Sequence, residues 1–142
     1  MKKTVIILIA LLICMIGATI FFLNSIETKQ KIAKQFNLEY EQYLNKEIYG
    51  TDVGTILNKA MDHNETYQIK KDEQGIYIPD DENSIKIEIK FSLNETVYPM
   101  ETIYKVGTTE FIRNFNTATF KGEVIAYHEK TGKIAEIRFT EV

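Results

Sequence analysis

The 142-residue sequence has no tryptophan, one cysteine, two prolines and two histidines. Each shortage excludes something. A single thiol, Cys14, allows neither a disulfide framework nor a cysteine-based metal site. His63 and His128 lie far apart in the chain and form no ligand-spaced cluster. The three serines, Ser25, Ser84 and Ser92, fall in no G-x-S-x-G or Ser-x-x-Lys pattern. Gly50 and Gly54 are too isolated to build a phosphate-cradling loop. There is no repeat at a solenoid period and no low-complexity tract. Basic excess is also missing. Residues 24–142 carry all 20 acidic groups against 15 Lys and Arg, a net charge of −5, which argues against nucleic acid as a partner.

Charge of either sign is absent from Thr4 to Leu23, a run of twenty residues behind Lys2 and Lys3. As a helix this run spans ~30 Å, the thickness of a bilayer's hydrocarbon core. No soluble core helix is apolar on every side over that length. The run is therefore a transmembrane helix, with membrane lipid as the partner of residues 4–23. A cleaved signal peptide is the alternative, with Ile16-Gly17-Ala18 nearest to a cleavage site. The apolar run continues past it to Leu23. A lipoprotein needs a small residue before its acylated cysteine, but Ile13 precedes Cys14. Cys14 reads as a small apolar residue facing lipid or another helix. The prepilin leader glycine and the glutamate within the apolar helix are both missing. Lys2 and Lys3 on one side nearly balance Lys29, Lys31 and Lys34 on the other. The short head favours a signal anchor, with a single-pass cell-membrane location and an extracytoplasmic C-terminal domain.

Two regions follow, an anchor at 1–23 and a soluble domain at 24–142. Ile26, Ala33, Phe36, Tyr40, Tyr43 and Leu44 recur at three- to four-residue steps, and no Pro or Gly interrupts 18–49. The membrane helix is expected to continue into an amphipathic helix through residue 46, a rod of about forty residues. Glu47-Ile48-Tyr49 is short and extended. Thr51 or Asp52 is the expected N-cap of a helix with Val53, Ile56, Leu57, Ala60 and Met61 on its buried stripe and Asn64 as C-cap. Ile76-Tyr77-Ile78 predicts a short strand between two polar turns. Ile85, Ile87, Ile89, Phe91 and Leu93 alternate with Lys86, Glu88, Lys90 and Ser92, which predicts a half-buried antiparallel strand. Pro99 opens a predicted helix over 99–106, buried through Met100, Ile103 and Tyr104. Gly107 ends it. Thr108 or Thr109 caps a second turn carrying Phe111, Ile112 and Phe115. Strands at 119–128 and 133–141 close on the hairpin loop Glu129-Lys130-Thr131-Gly132. The fold class is α+β, with an antiparallel sheet of three to four strands and short helices.

Few side chains point to chemistry. His63 ends a helix and His128 ends a strand, and both read as surface or capping residues. A metal reading requires them to meet in space beside Asp62 or Glu129. Asp80-Asp81-Glu82-Asn83 offers several oxygens to calcium but lacks the EF-hand order, and it reads as a solvated loop. Asp72-Glu73-Gln74-Gly75 is an ordinary turn. Glu88 and Glu123 form a carboxylate pair if their strands are adjacent, although pairing with Lys86, Lys90 and Lys121 is the commoner fate of strand acids. Asn64-Glu65-Thr66 and Asn94-Glu95-Thr96 match a glycosylation pattern. The eight tyrosines (40, 43, 49, 67, 77, 98, 104 and 127) fall mostly near element ends, where they serve core margins or binding surfaces. No catalytic, cofactor-binding or metal-ligating residue is assigned.

Three stretches carry a resemblance: Gly50-Thr51-Asp52-Val53-Gly54-Thr55-Ile56-Leu57-Asn58-Lys59-Ala60-Met61-Asp62-His63-Asn64, Val97-Tyr98-Pro99-Met100-Glu101-Thr102-Ile103-Tyr104-Lys105, and Tyr127-His128-Glu129-Lys130-Thr131-Gly132-Lys133-Ile134. With the N-terminal helix, they resemble a group of short single-pass proteins of low-GC Gram-positive bacteria. The resemblance implies a bacterial membrane protein and brings no activity. The plan of a membrane helix, an amphipathic extension and an antiparallel sheet is similar to that of pilins and pseudopilins. The hairpin from Phe120 to Phe139 is similar to the last hairpin of PepSY-type domains. The expectation is a non-enzymatic, membrane-anchored interaction or assembly protein with a protein partner or self-association. The alternatives are a pilin-like subunit polymerising through its N-terminal helix, and a small envelope enzyme or enzyme regulator.

Overall fold

A computed structural model describes residues 2–93 and 96–142. Among these, four helices and five strands follow in the order α1 (Lys2–Glu41), β1 (Glu47–Tyr49), α2 (Gly50–Thr66), β2 (Lys86–Lys90), β3 (Val97–Pro99), α3 (Met100–Val106), α4 (Thr108–Phe115), β4 (Thr119–Tyr127) and β5 (Ile134–Glu141).

The first helix is unbroken over 40 residues. Its apolar part is wholly exposed and is long and apolar enough to cross a membrane. Residues 24–32 form a largely exposed stalk. Burial begins at Ala33 and continues through Phe36, Tyr40, Tyr43 and Leu44, as the spacing predicts. Ile26 departs from the pattern and stays exposed, because the domain does not reach that far along the rod. The helix also stops at Glu41, short of residue 46. A turn follows, in which Asn45 takes a positive φ of 58°.

The sheet has the order β1-β4-β5-β2-β3. Its strands are antiparallel except for β2 and β5, which run parallel. The expected three to four antiparallel strands are thus exceeded by short edge strands and one parallel pair. Alternation holds where it was read. Ile87 and Ile89 of β2 and Ile137 and Phe139 of β5 are fully buried. They meet the α2 stripe of Val53, Ile56, Leu57, Ala60 and Met61, with Met100, Phe111 and Phe120 closing the core. The opposite sheet face is charged and open to solvent.

Several local expectations shift. The α2 N-cap is Tyr49, without a side-chain bond, and neither Thr51 nor Asp52 serves. Asn64 lies inside the helix with no exposure. Its amide donates to the Ile85 carbonyl at 2.8 Å and accepts the Ile85 N–H at 2.9 Å, so it pins β2 rather than capping α2. Pro99 ends β3 and caps α3 from outside, and Gly107 rather than a threonine caps α4. In α3 the buried residues are Met100 and Glu101, while Tyr104 is exposed. Ile76-Tyr77-Ile78 makes only one bridge, Lys71 to Tyr77, and is no strand.

Candidate functional site

The chain direction gives the domain two poles. Asn37 of α1 donates to the Gly132 carbonyl at 2.9 Å and accepts the Ile134 N–H at 2.8 Å, so the stalk enters beside the β4–β5 hairpin. Further along the chain, Asn45 reaches the Gly122 carbonyl. The hairpin and the 79–84 loop therefore face the apolar segment, and the C-terminal ends of β2 and β5 face away from it.

At the near pole the two histidines do something that sequence did not indicate. His63 Nε2 lies 2.8 Å from the Asn83 carbonyl, and His128 Nε2 lies 2.7 Å from the Ser84 carbonyl. A carbonyl only accepts, so each ring carries its proton on Nε2. Desolvation lowers the His63 pKa despite the bond to Asn83. The loop is tied from within as well. Asp80 accepts the N–H groups of Glu82 (3.0 Å), Asn83 (2.7 Å) and Ser84 (2.7 Å). Partial burial pushes the Asp80 carboxyl up, but these bonds together outweigh it and hold the pKa at about 2. Lys130 pairs with Asp81, and Lys133 donates to Asn83 Oδ1 at 2.8 Å beneath the rings of Phe36 and Tyr67. The acidic loop is thus a fastening between α2 and the hairpin. Asp80 Oδ1, Asp81 Oδ2 and Asn83 Oδ1 bond within the protein, and among the described residues no group of three His, Cys, Asp or Glu is placed to hold a metal ion.

On the open sheet face, Glu88 and Glu123 do not sit on adjacent strands. Arg138 of β5 is the register partner of both. Its Nε and Nη2 lie 3.0 and 2.7 Å from Glu88 Oε2, and Lys86 completes the cluster at 2.6 Å from Glu88 Oε1. Burial raises the Glu88 pKa, but the two cations outweigh it and the net shift is downward.

At the far pole lies an open apolar groove of about 380 Å³. Phe91, Tyr98, Ile103, Phe111 and Phe115 wall it. Phe91 and Phe115 rings lie 4.8 Å apart, and Phe111 stacks on Phe115 at 5.2 Å. Leu93, 96% exposed, and Val106, 71% exposed, stand at its mouth. The aromatic positions were readable one by one as inward faces. Their meeting joins β2 to α4, and no local pattern announces it. Of the tyrosines, Tyr40 and Tyr77 are buried, while Tyr49, Tyr67, Tyr104 and Tyr127 are exposed around the domain rather than gathered. Asn64 is inaccessible to glycosylation; Asn94 lies outside the described residues.

The architecture defines the class: an α+β domain docked on the tail of one helix long and apolar enough to cross a membrane. Compared with protein-family models, curated proteins and solved structures, the chain gives no match in any of the three.

Proposed function

We propose that this protein is a non-enzymatic, membrane-anchored interaction module of the bacterial envelope, displaying its domain outside the cytoplasm. The observation that carries the reading is the far-pole groove. An aromatic cleft with exposed Leu93 and Val106 at its mouth is the kind of surface that protein partners cover. Its place opposite the stalk points to apolar side chains of another protein, since the bilayer that holds the anchor lies at the other pole. The envelope location rests on the resemblance to Gram-positive single-pass proteins.

The test is site-specific photo-cross-linking on intact cells, with the probe at Val106 and a control probe at Lys121 on the open sheet face. A discrete heterologous band from Val106 alone, abolished by Leu93→Glu, is the expected result. Equal capture at both positions, or none at Val106, overturns it. A membrane-impermeant amine reagent run in parallel reports topology; domain lysines that label only after cell opening overturn the extracytoplasmic placement.

A pilin-like subunit is the second reading, favoured by the continuity of α1 from its apolar part to its docked tail. It requires homo-oligomer ladders from probes placed along residues 4–32.

A further inference from the structure

The far-pole groove disfavours one mode of docking. β3 is the edge strand of the sheet, and its Tyr98 lines the groove, so β3 is where an added strand would pair. It is only three residues long and ends at Pro99, which has no N–H to give. Strand addition therefore has few backbone groups to use, and a partner must enter through its side chains.

The room suits a helix. About 380 Å³, at ~30 Å³ for each water displaced, takes about a dozen non-hydrogen atoms, the side chains of about three leucines. Anchors at i, i+3 or i+4, and i+7 are what the apolar face of an amphipathic helix offers.

The rim gives the sign of the partner. Glu110 and Glu141 line the groove, and no Lys or Arg does. Glu110 is paired with Arg113. Glu141 Oε2 accepts the Ser92 N–H at 3.0 Å and the Ser92 hydroxyl at 2.8 Å. Both donors are uncharged, and among the described residues no Lys or Arg pairs with Glu141. An unbalanced carboxylate thus stands at the mouth of an apolar site, where it attracts a cation and repels an acid.

We infer that the groove takes an amphipathic helix of another protein, whose apolar face supplies about three anchors and whose flank carries a Lys or Arg that reaches Glu141. The inference rests on the reading of the groove as a docking surface and adds the shape and the sign of what docks. A second copy of this chain offers no such helix. Its α2, α3 and α4 pack in its own core, and the exposed part of its α1 lies at the near pole.

The experiment titrates the full chain, ¹⁵N-labelled in dodecyl maltoside micelles, with three synthetic peptides of about 18 residues. One carries leucine at i, i+3, i+4 and i+7 and lysine elsewhere. The second replaces lysine by glutamate. The third keeps the Leu/Lys composition with the leucines out of helical period. Saturable amide shifts at Phe91, Ile103, Phe111 and Phe115 are expected with the first, which should bind about tenfold more tightly than either of the others. Glu141→Gln keeps an acceptor for Ser92 and should lower the preference for lysine over glutamate about threefold. Glu123→Gln makes the same charge change on the open sheet face and should leave that preference unaltered. Should Glu141→Gln fail to fold, Glu110→Gln, which frees Arg113 at the same rim, takes its place with the same expected direction. No saturation, equal binding of the three peptides, or an equal effect of the rim and sheet-face variants overturns the inference. Photo-cross-linking at Val106 separates the failures. A heterologous band there without a preference for the basic helix removes this inference alone, and the absence of both removes the docking surface with it.

Discussion

Two residues show how much depends on single polar atoms. Tyr40 is 1% exposed, and its hydroxyl is buried without a partner. Burial, assisted by the nearby Glu39 charge, pushes the phenol pKa upward. Removing that oxygen removes a desolvated group and leaves the ring, so Tyr40→Phe should keep or raise stability by up to ~1 kcal/mol in chemical denaturation. A clear loss would mean that the hydroxyl has a partner in solution. Asp80 is the opposite case, with one oxygen accepting three backbone N–H groups. Because its carboxyl is largely exposed, solvent screening reduces what the bonds contribute, and Asp80→Ala should cost about 1 kcal/mol. The folded pKa of about 2 lies below the ordinary 3.8. The contribution is therefore complete above 3.8 and is lost as the pH falls from there toward 2. Acid unfolding of Asp80→Ala should show a shallower pH dependence across that window, and an unchanged profile would contradict the assignment.

At the scale of elements, close approach decides what the chain tolerates. A Cβ at Gly50 would lie 2.0 Å from the Phe115 carbonyl oxygen, a backbone atom that cannot swing aside. Gly50→Ala should destabilise the fold by ~2 kcal/mol, measured by thermal or urea unfolding. That helix start was legible in the sequence, but the reason for its glycine was not, since Phe115 lies 65 positions away. The same division runs through the molecule. The α2 stripe, the Ile87–Ile89 alternation and the unbroken rod follow from local period and were read correctly. Tyr49 as a cap, Asn64 as a pin and Arg138 between two glutamates depend on which strands become neighbours. Of the candidate sites, His63 and His128 were noticed as rare residues. Their shared loop emerged only when α2 and the hairpin closed on it. The burial of Glu101 gave no signal, because a glutamate in the first turn of a predicted helix is an ordinary helix-dipole residue.

At the scale of the whole molecule, the stalk and the domain are one piece. Asn37, Phe36 and Tyr40 tie α1 to the hairpin, to His63 and to the core. The 24–32 stretch, at 1.5 Å per residue, holds the domain ~13 Å from the end of the apolar run. Deleting residues 134–142 should leave a protease-sensitive domain, measured by limited trypsin digestion of the detergent-solubilised protein. A resistant fragment of unchanged size would show that β5 is dispensable.

The position of β5 has a consequence in time. It is flanked by β4 on one side and β2 on the other, some fifty residues apart from the latter in sequence. The fifth strand in chain order thus fills the middle of the sheet. Synthesis runs from α1 toward β5, so the sheet has no centre until its fifth strand has been made. Such long-range pairing is slow to form, and until it forms, the edge of β2 that β5 pairs with stays open. The newborn chain passes through an interval in which its helices have no complete sheet to pack on, and in that interval chaperones and proteases have access to it.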